Sequence, residues 1–449
     1  MASVADLSPG LQAGAALDRS DRRASRLILL AMLLLVGLAS VQRALTKPID
    51  VGFDELAHTS YIAQLQSSDV LWVDLGRLHS LDARTMRLTQ GASYLNHPSF
   101  YYRLAAWAGP GVEGDRGALL VHRLMNVAIV LAGVWALLVA PVRAGWTVLQ
   151  RYAYSFSLVT IPVLAPLAGS VSNDNLAFAG GALAIWGAFR LFEDAPCEAV
   201  AQTSRRWGLG LLCLGVLIAG LTKLTGMMLV GGFALTLGVA LTMRRKLSPG
   251  SLACIVAAVA LASIPYVAFV LAYGSPAPNT PAQAAMLLQG SIRTGWNAAP
   301  RLGPAAYVWH FLQEFFLSWL PTLDSRSALN LTAAVLPAMV VVLAGAGAGI
   351  AALRLRAPGG LSAPGAIAVS GLVATAGTFV VHIAFSYQRH LQTGWLLDAA
   401  PRYYLPLAAA VPIAVINLTD ALPARWRPWA VGLFLAEPVA FAVLATPLR

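Results

Sequence analysis

Apolar positions fall along the chain in runs of about 17–25 residues, the length that crosses a hydrocarbon layer of roughly 30 Å as a helix. About eleven such runs are legible, at 27–45, 119–140, 152–169, 174–192, 207–222, 225–242, 250–273, 328–353, 364–385, 403–418 and 428–446. The pattern predicts an all-α polytopic membrane protein, since a closed β-barrel would show short alternating segments instead. A polar tail over 1–26 leads into a single transmembrane domain over 27–449, interrupted by two long connecting stretches, 46–118 and 274–327.

The long stretches carry weaker patterns. In DELAHTSYIAQLQ, Leu56, Ile62 and Leu65 recur at helical spacing among polar residues, which predicts an amphipathic helix on the membrane surface. LNHPSFYYRLAAW predicts a second interfacial helix, with Pro98 at its start and aromatic residues at interface depth. Residues 274–305 are rich in Gly, Pro and Asn and are expected to act as a gate. VWHFLQEFFLSWL (308–320) is too short for a span and reads as interfacial or re-entrant. No internal repeat is visible.

Composition sharpens this picture. The chain is 58% hydrophobic and 11% charged, with mean hydropathy +0.68, whereas a soluble domain is about a quarter charged. The net charge is +11, and basic residues gather in every second connection: Arg19, Arg22, Arg23 and Arg26; Arg143 and Arg151; Arg205 and Arg206; Arg244, Arg245 and Lys246; Arg354 and Arg356; Arg425 and Arg427. One orientation satisfies them all, with a cytoplasmic N-terminus and both long stretches on the outer side. The basic balance is thus an orientation signal, with no nucleic acid implied; membrane lipids are the expected surroundings. The run after Arg26 resembles a signal peptide, but it continues toward Leu45 and is expected to stay as the first span. Cys197, Cys213 and Cys254 lie outside the long outer stretches, so no disulfide framework is implied.

Polar chemistry gathers on the outer side. In FDELAH, Asp54 and Glu55 stand four and three residues before His58, within reach on one helix. A partly buried carboxylate there could serve as a general base; the same acids would also suit a helix N-terminus. NHPSFYY places His97, Tyr101 and Tyr102 together, as a polar ligand site or as a cap followed by an aromatic belt. Asp174 in SNDNLAF is either a cap or a carboxylate sharing Asp54's cavity. Lys223 in LTKLTG sits between two apolar runs, as a functional charge or a snorkelling one. Arg402 and Tyr403 in APRYYLP open a late run on the outer side, as a phosphate-binding pair or an interface anchor. Arg293, Arg301 and Arg389 are weaker candidates of that kind, and Glu437 in the last run has no reading. Acids first and cations later, all on one face, call for an anionic ligand with an apolar tail, such as a sugar on a polyprenyl phosphate.

These motifs, in this order, resemble the GT-C membrane glycosyltransferases, in the branch of the protein O-mannosyltransferases and bacterial aminoarabinose transferases. The resemblance rests on Asp54-Glu55-x-x-His58, HPSFYY (97–102), His122-Arg123, Asp174 in its Ser-Asn-Asp-Asn setting, Leu-Thr-Lys-x-x-Gly at 221–226 and Arg-Tyr-x-x-Pro at 402–406. It implies a GT-C-like fold and an inverting transfer from a polyprenyl-phosphate sugar donor to an acceptor, in a bacterial inner membrane with both long stretches periplasmic. By the same resemblance Asp54 is the general base, while Lys223 and Arg402 meet the phosphate. Glu55, His58, His97, Tyr101, Asp174 and Tyr403 then shape the substrate pocket. Some relatives use a divalent metal; the residues here lack tight ligand spacing, so a metal stays open. The chain ends at 449 without the large outer domain of many relatives, which points to a lipid, glycan or other cell-envelope acceptor. The rival class is a transporter or flippase for a lipid-linked anion, with a glycan ligase as a further option.

Overall fold

The computed structural model describes residues 19–68, 70, 72–193, 198–278, 300–318, 328–355, 362–394, 396 and 400–445. The first apolar run folds as α1 (Arg19–Thr46). The connecting stretch after it holds α2 (Glu55–Gln66), a hairpin of β1 (His79–Leu81) and β2 (Leu88–Ala92), and α3 (Phe100–Ala108). Then follow α4 (Arg116–Val139), α5 (Val148–Val159), the short α6 (Leu164–Ala168), α7 (Asn173–Leu191) and α8 (Glu198–Thr222). α9 (Leu224–Met243) contains one π turn at Met227–Gly231. The remaining helices are α10 (Pro249–Tyr273), α11 (Pro304–Leu317), α12 (Ala328–Leu355), α13 (Ala363–Thr393), α14 (Ala410–Ala421) and α15 (Arg427–Ala445), with a 3₁₀ segment at Pro401–Leu407 before α14.

Seven helices among the described residues are long and apolar enough to cross a membrane, or eight if the bent pair Pro401–Leu407 and Ala410–Ala421 counts as one span. Eleven were expected. Part of the difference lies in broken runs. The run at 152–169 splits where α5 caps at Thr160, two residues before Pro162, a position where proline commonly follows a helix end. The run at 403–418 turns by 63° between its two pieces.

α7 is central. It packs against α4, α8 and the 401–407 segment. At the α7–α8 crossing a side chain on Gly180 would meet the backbone of Gly215 and Ala219, the close approach that small residues permit between membrane helices. A side chain on Gly181 would collide with the carbonyl of Pro406. That vacancy lets the 401–407 segment lie directly on α7.

The 46–118 stretch builds a second core from Tyr61, Ile62, Leu65, Leu78, Met86, Tyr101 and Tyr102, all buried, and docks it through Val171, Tyr266 and Phe269. Here one expectation changes. α2 forms where its pattern predicts, but it is buried on nearly every side, including Thr59, Ser60 and Tyr61. Its polar positions face protein instead of water: Ser60 Oγ accepts the Leu81 N–H at 2.8 Å and Gln64 Oε1 the His79 N–H at 2.8 Å. The segment expected to be interfacial or re-entrant forms α11 and buries Tyr307, Phe311 and Phe315 along one stripe. Most of the expected gate, 279–299, lies outside the described residues.

Candidate active site

The backbone before α2 is unusual. Gly52, Phe53 and Asp54 all have positive φ, at 72°, 59° and 56°, the left-handed region that a bulky residue such as Phe rarely adopts. Asp54 is the N-cap of α2 without a side-chain cap bond. Its carbonyl accepts the His58 N–H at 3.0 Å, and its carboxylate leaves the helix. Arg402 Nη2 donates to Oδ2 at 2.5 Å and Tyr94 OH donates to Oδ1 at 2.7 Å. Asp54 therefore does not sit on α2's face above His58, as continuous helical spacing would require. His58 Nδ1 instead lies 2.8 Å from Tyr102 OH, and its ring stacks with His97 at 6.1 Å between centroids.

Three distant segments complete the network. At the start of α7, Ser172 caps the helix by accepting the Asp174 N–H, and the Asp174 carboxylate is buried. Lys223 occupies the extended break between α8 and α9 and donates to Asp174 Oδ1 at 2.6 Å. Arg402 Nε lies 3.5 Å from Asp174 Oδ2, so one guanidinium spans both carboxylates. Lys223 Nζ also sits 3.8 Å above the Tyr403 ring. The result is a continuous chain of alternating charge: Asp54, Arg402, Asp174, Lys223.

A cavity of about 360 Å³ adjoins this chain, lined by Asn96, His97, Lys223, His382, Arg389 and Tyr403 among others. The structure thus brings together Asp54, Asp174, Lys223, Arg402 and Tyr403, with His97 on the cavity wall and His58 stacked behind it. Two expected pocket residues stand elsewhere. Tyr101 is fully buried and donates to Asn126 Oδ1 at 2.9 Å. Glu55 points away from Asp54, with no exposed side-chain surface. It accepts from Arg123 Nε and Nη2, both at 2.8 Å, and from the Val171 N–H at 2.8 Å, with Lys47 Nζ 3.6 Å away. Tyr94 is the site residue that sequence reasoning missed. It follows β2, and nothing in its local pattern sets it apart from an ordinary strand-end tyrosine.

Charge in the site follows from this packing. Burial alone would raise the Asp54 pKa, but the Arg402 guanidinium and the Tyr94 hydroxyl outweigh it and hold the carboxyl well below the usual range. Burial pushes the His58 imidazole down to about 3, against the pull of Asp54 and Asp174. His97 is held well below its usual value, first by burial and then by Lys223. Both rings are neutral at neutral pH. Among the described residues no three His, Cys, Asp or Glu side chains are placed to hold a metal, and Asp54 and Asp174 are each already paired with a cation. The residues present do not fit a divalent ion.

No protein family model matches the chain, and no curated protein matches it by sequence. Solved structures do match. The crystal structure of the Archaeoglobus fulgidus oligosaccharyltransferase, in complex with zinc and sulfate, aligns with TM-score 0.50 at 14% identity over 92% of this chain and 52% of that one. This chain therefore spans about half of that protein. ArnT from Cupriavidus metallidurans bound to undecaprenyl phosphate aligns with TM-score 0.37 at 16% identity, over 92% of this chain and 77% of that one. AglB from Archaeoglobus fulgidus, with an inhibitory peptide and a dolichol-phosphate, aligns at 0.49 and 12%, over 93% and 55%. The chain shares its fold with the membrane part of the Archaeoglobus fulgidus oligosaccharyltransferase that it overlays.

Proposed function

We propose that this chain is an inverting glycosyltransferase. It moves a sugar from a polyprenyl-phosphate donor to a lipid or glycan of the cell envelope, on the outer face of the membrane. The observation that carries this reading is the convergence of Asp54, Asp174, Lys223 and Arg402, four charges from four separate segments, beside a cavity. A transport path would need polar groups reachable from both faces; these charges gather at one end of the bundle.

Asp54 is the general base and the two cations receive the phosphate. The acceptor hydroxyl attacks the anomeric carbon, its proton passes to the Asp54 carboxylate, and a new carbon–oxygen bond forms. The anomeric carbon–phosphate oxygen bond breaks with its electron pair left on the phosphate. Lys223 and Arg402 stabilise that growing charge. A carboxylate held well below its usual pKa is a poor base, so Arg402 must loosen from Asp54 during the cycle. A donor phosphate that draws the guanidinium toward itself does this, and burial then raises the basicity of Asp54. Donor binding thereby arms the base.

The test is a deletion strain complemented with wild type or Asp54→Asn at matched membrane levels, with envelope lipids and glycans profiled by mass spectrometry. Wild type is expected to restore a missing sugar-sized mass and Asp54→Asn to leave it missing. Full restoration by Asp54→Asn removes the base and moves the transporter reading ahead.

A further inference from the structure

A second cavity, about 440 Å³, shares no lining residue with the first. It lies where α1 ends, at Ala44 and Leu45, and where α4 begins, at Arg116 and Leu119. Both helices are long and apolar enough to cross a membrane, so their adjoining ends mark the depth of the lipid headgroups. The hairpin turn, through Arg84, closes the cavity from above.

Its charge is one-sided. Lys47, Arg84, Arg116 and Arg123 line it, against a single lining acid, Asp50. Glu55 behind the wall balances part of Lys47 and Arg123. Arg84 has the exposed Asp82 near it, outside the cavity lining, and Arg116 forms no salt bridge among the described residues. Arg116 Nη2 is held by the carbonyls of Ala83 and Arg84, at 3.3 and 3.2 Å, which orients the guanidinium without neutralising it. Leu45, 62% exposed, stands at the rim. Cations at headgroup depth with an apolar rim suit a phosphate ester whose chains continue into the bilayer, and guanidinium groups grip phosphate oxygens in pairs.

We propose that this cavity binds the phosphate headgroup of an anionic membrane lipid, apart from the donor site. The proposal does not depend on the glycosyltransferase reading. The full-length protein in detergent would be supplied with phosphatidylglycerol or phosphatidylcholine of the same chains and examined by native mass spectrometry. Wild type is expected to retain phosphatidylglycerol preferentially. Arg84→Gln and Arg116→Gln should each reduce that retention by about five-fold. Arg244→Gln/Arg245→Gln, at the far end of α9, should leave it unchanged. A matched thermal melt establishes that each variant is folded, and exposed Arg84→Gln alone suffices should Arg116→Gln misfold. Equal retention of the two lipids, or unchanged retention in Arg84→Gln, overturns the proposal. So does displacement of the lipid by millimolar inorganic phosphate, which would mark a site for free small anions.

Discussion

Asp54 and Glu55 are neighbours in sequence, and both are carboxylates bound by arginine, yet they belong to different regions of the molecule. Asp54 keeps 39% of its side chain exposed and shares a guanidinium with Asp174 beside a cavity. Glu55 is sealed, held by two arginine nitrogens, a lysine and a backbone N–H. The left-handed backbone at Asp54 sends the two side chains apart. The difference teaches that an ion pair becomes chemistry only where one partner can be exchanged for a ligand. Where the pair is closed on every side it is architecture: Glu55 ties α2 to α4 through Arg123 and to the α7 approach through Val171, and so fixes the start of α2, where Asp54 stands.

The sharpest way to break this comparison is to neutralise each acid in turn. Asp54→Asn should lower transfer by about 10²–10⁴-fold, the range for loss of a general base, with a smaller loss of thermal stability than Glu55→Gln because the Asp54 side chain is 39% exposed. Measured turnover near wild type would remove Asp54 from the chemistry. Glu55→Gln should do the reverse. Removing one partner of a buried pair costs about 3–5 kcal/mol, read as a lowered melting temperature and poor membrane yield. Any folded Glu55→Gln protein should keep much of its turnover. A stable but inactive Glu55→Gln would show that the two acids share one role.

A smaller effect is expected from Tyr94→Phe, which removes the hydroxyl donating to Asp54 at 2.7 Å. A hydrogen bond to a charged group contributes about 1.5–3 kcal/mol, so transfer should change by about ten- to a hundred-fold. The hydroxyl helps hold the Asp54 pKa down, so its loss raises that pKa, and the acid limb of kcat/KM should move to higher pH. An unmoved limb would detach Tyr94 from the base.

The smallest effect concerns His58. Its folded pKa of about 3 lies below the usual 6.5, so the unfolded chain binds the extra proton first. Stability from this group is present above pH 6.5 and is lost on acidification from there toward about 3. His58→Gln should flatten that part of the stability curve, measured by thermal melts across pH. Asp54 has the same sign in a lower pH window. Its depressed pKa supports the fold above the usual carboxylate range, and that support fades only as pH falls toward the folded value.

Much of this was legible in the chain itself. Runs of apolar residues with few charges can satisfy their backbone only as helices in a bilayer, so the all-α membrane architecture follows from local pattern. The charges left over, Asp54, Asp174, Lys223 and Arg402, stood out because such groups are costly near a membrane. Tyr94 was not legible, because its function comes from a partner that folding brings close. The one-sided reading of α2 failed for a related reason. Ser60 and Gln64 are polar whether they face water or the N–H groups of Leu81 and His79.

The sequence by itself determined that this chain is built of membrane-compatible helices and which ionisable groups need a reason to exist, but not how many of its apolar runs form unbroken spans. Only the tertiary structure decided which acid borders the cavity and which one is sealed. That choice depends on backbone dihedrals at Gly52, Phe53 and Asp54 and on partners from 40 to 348 positions away in sequence. Side-chain identity records the charge at each position; exposure and distance to the opposite charge exist only once the chain has packed.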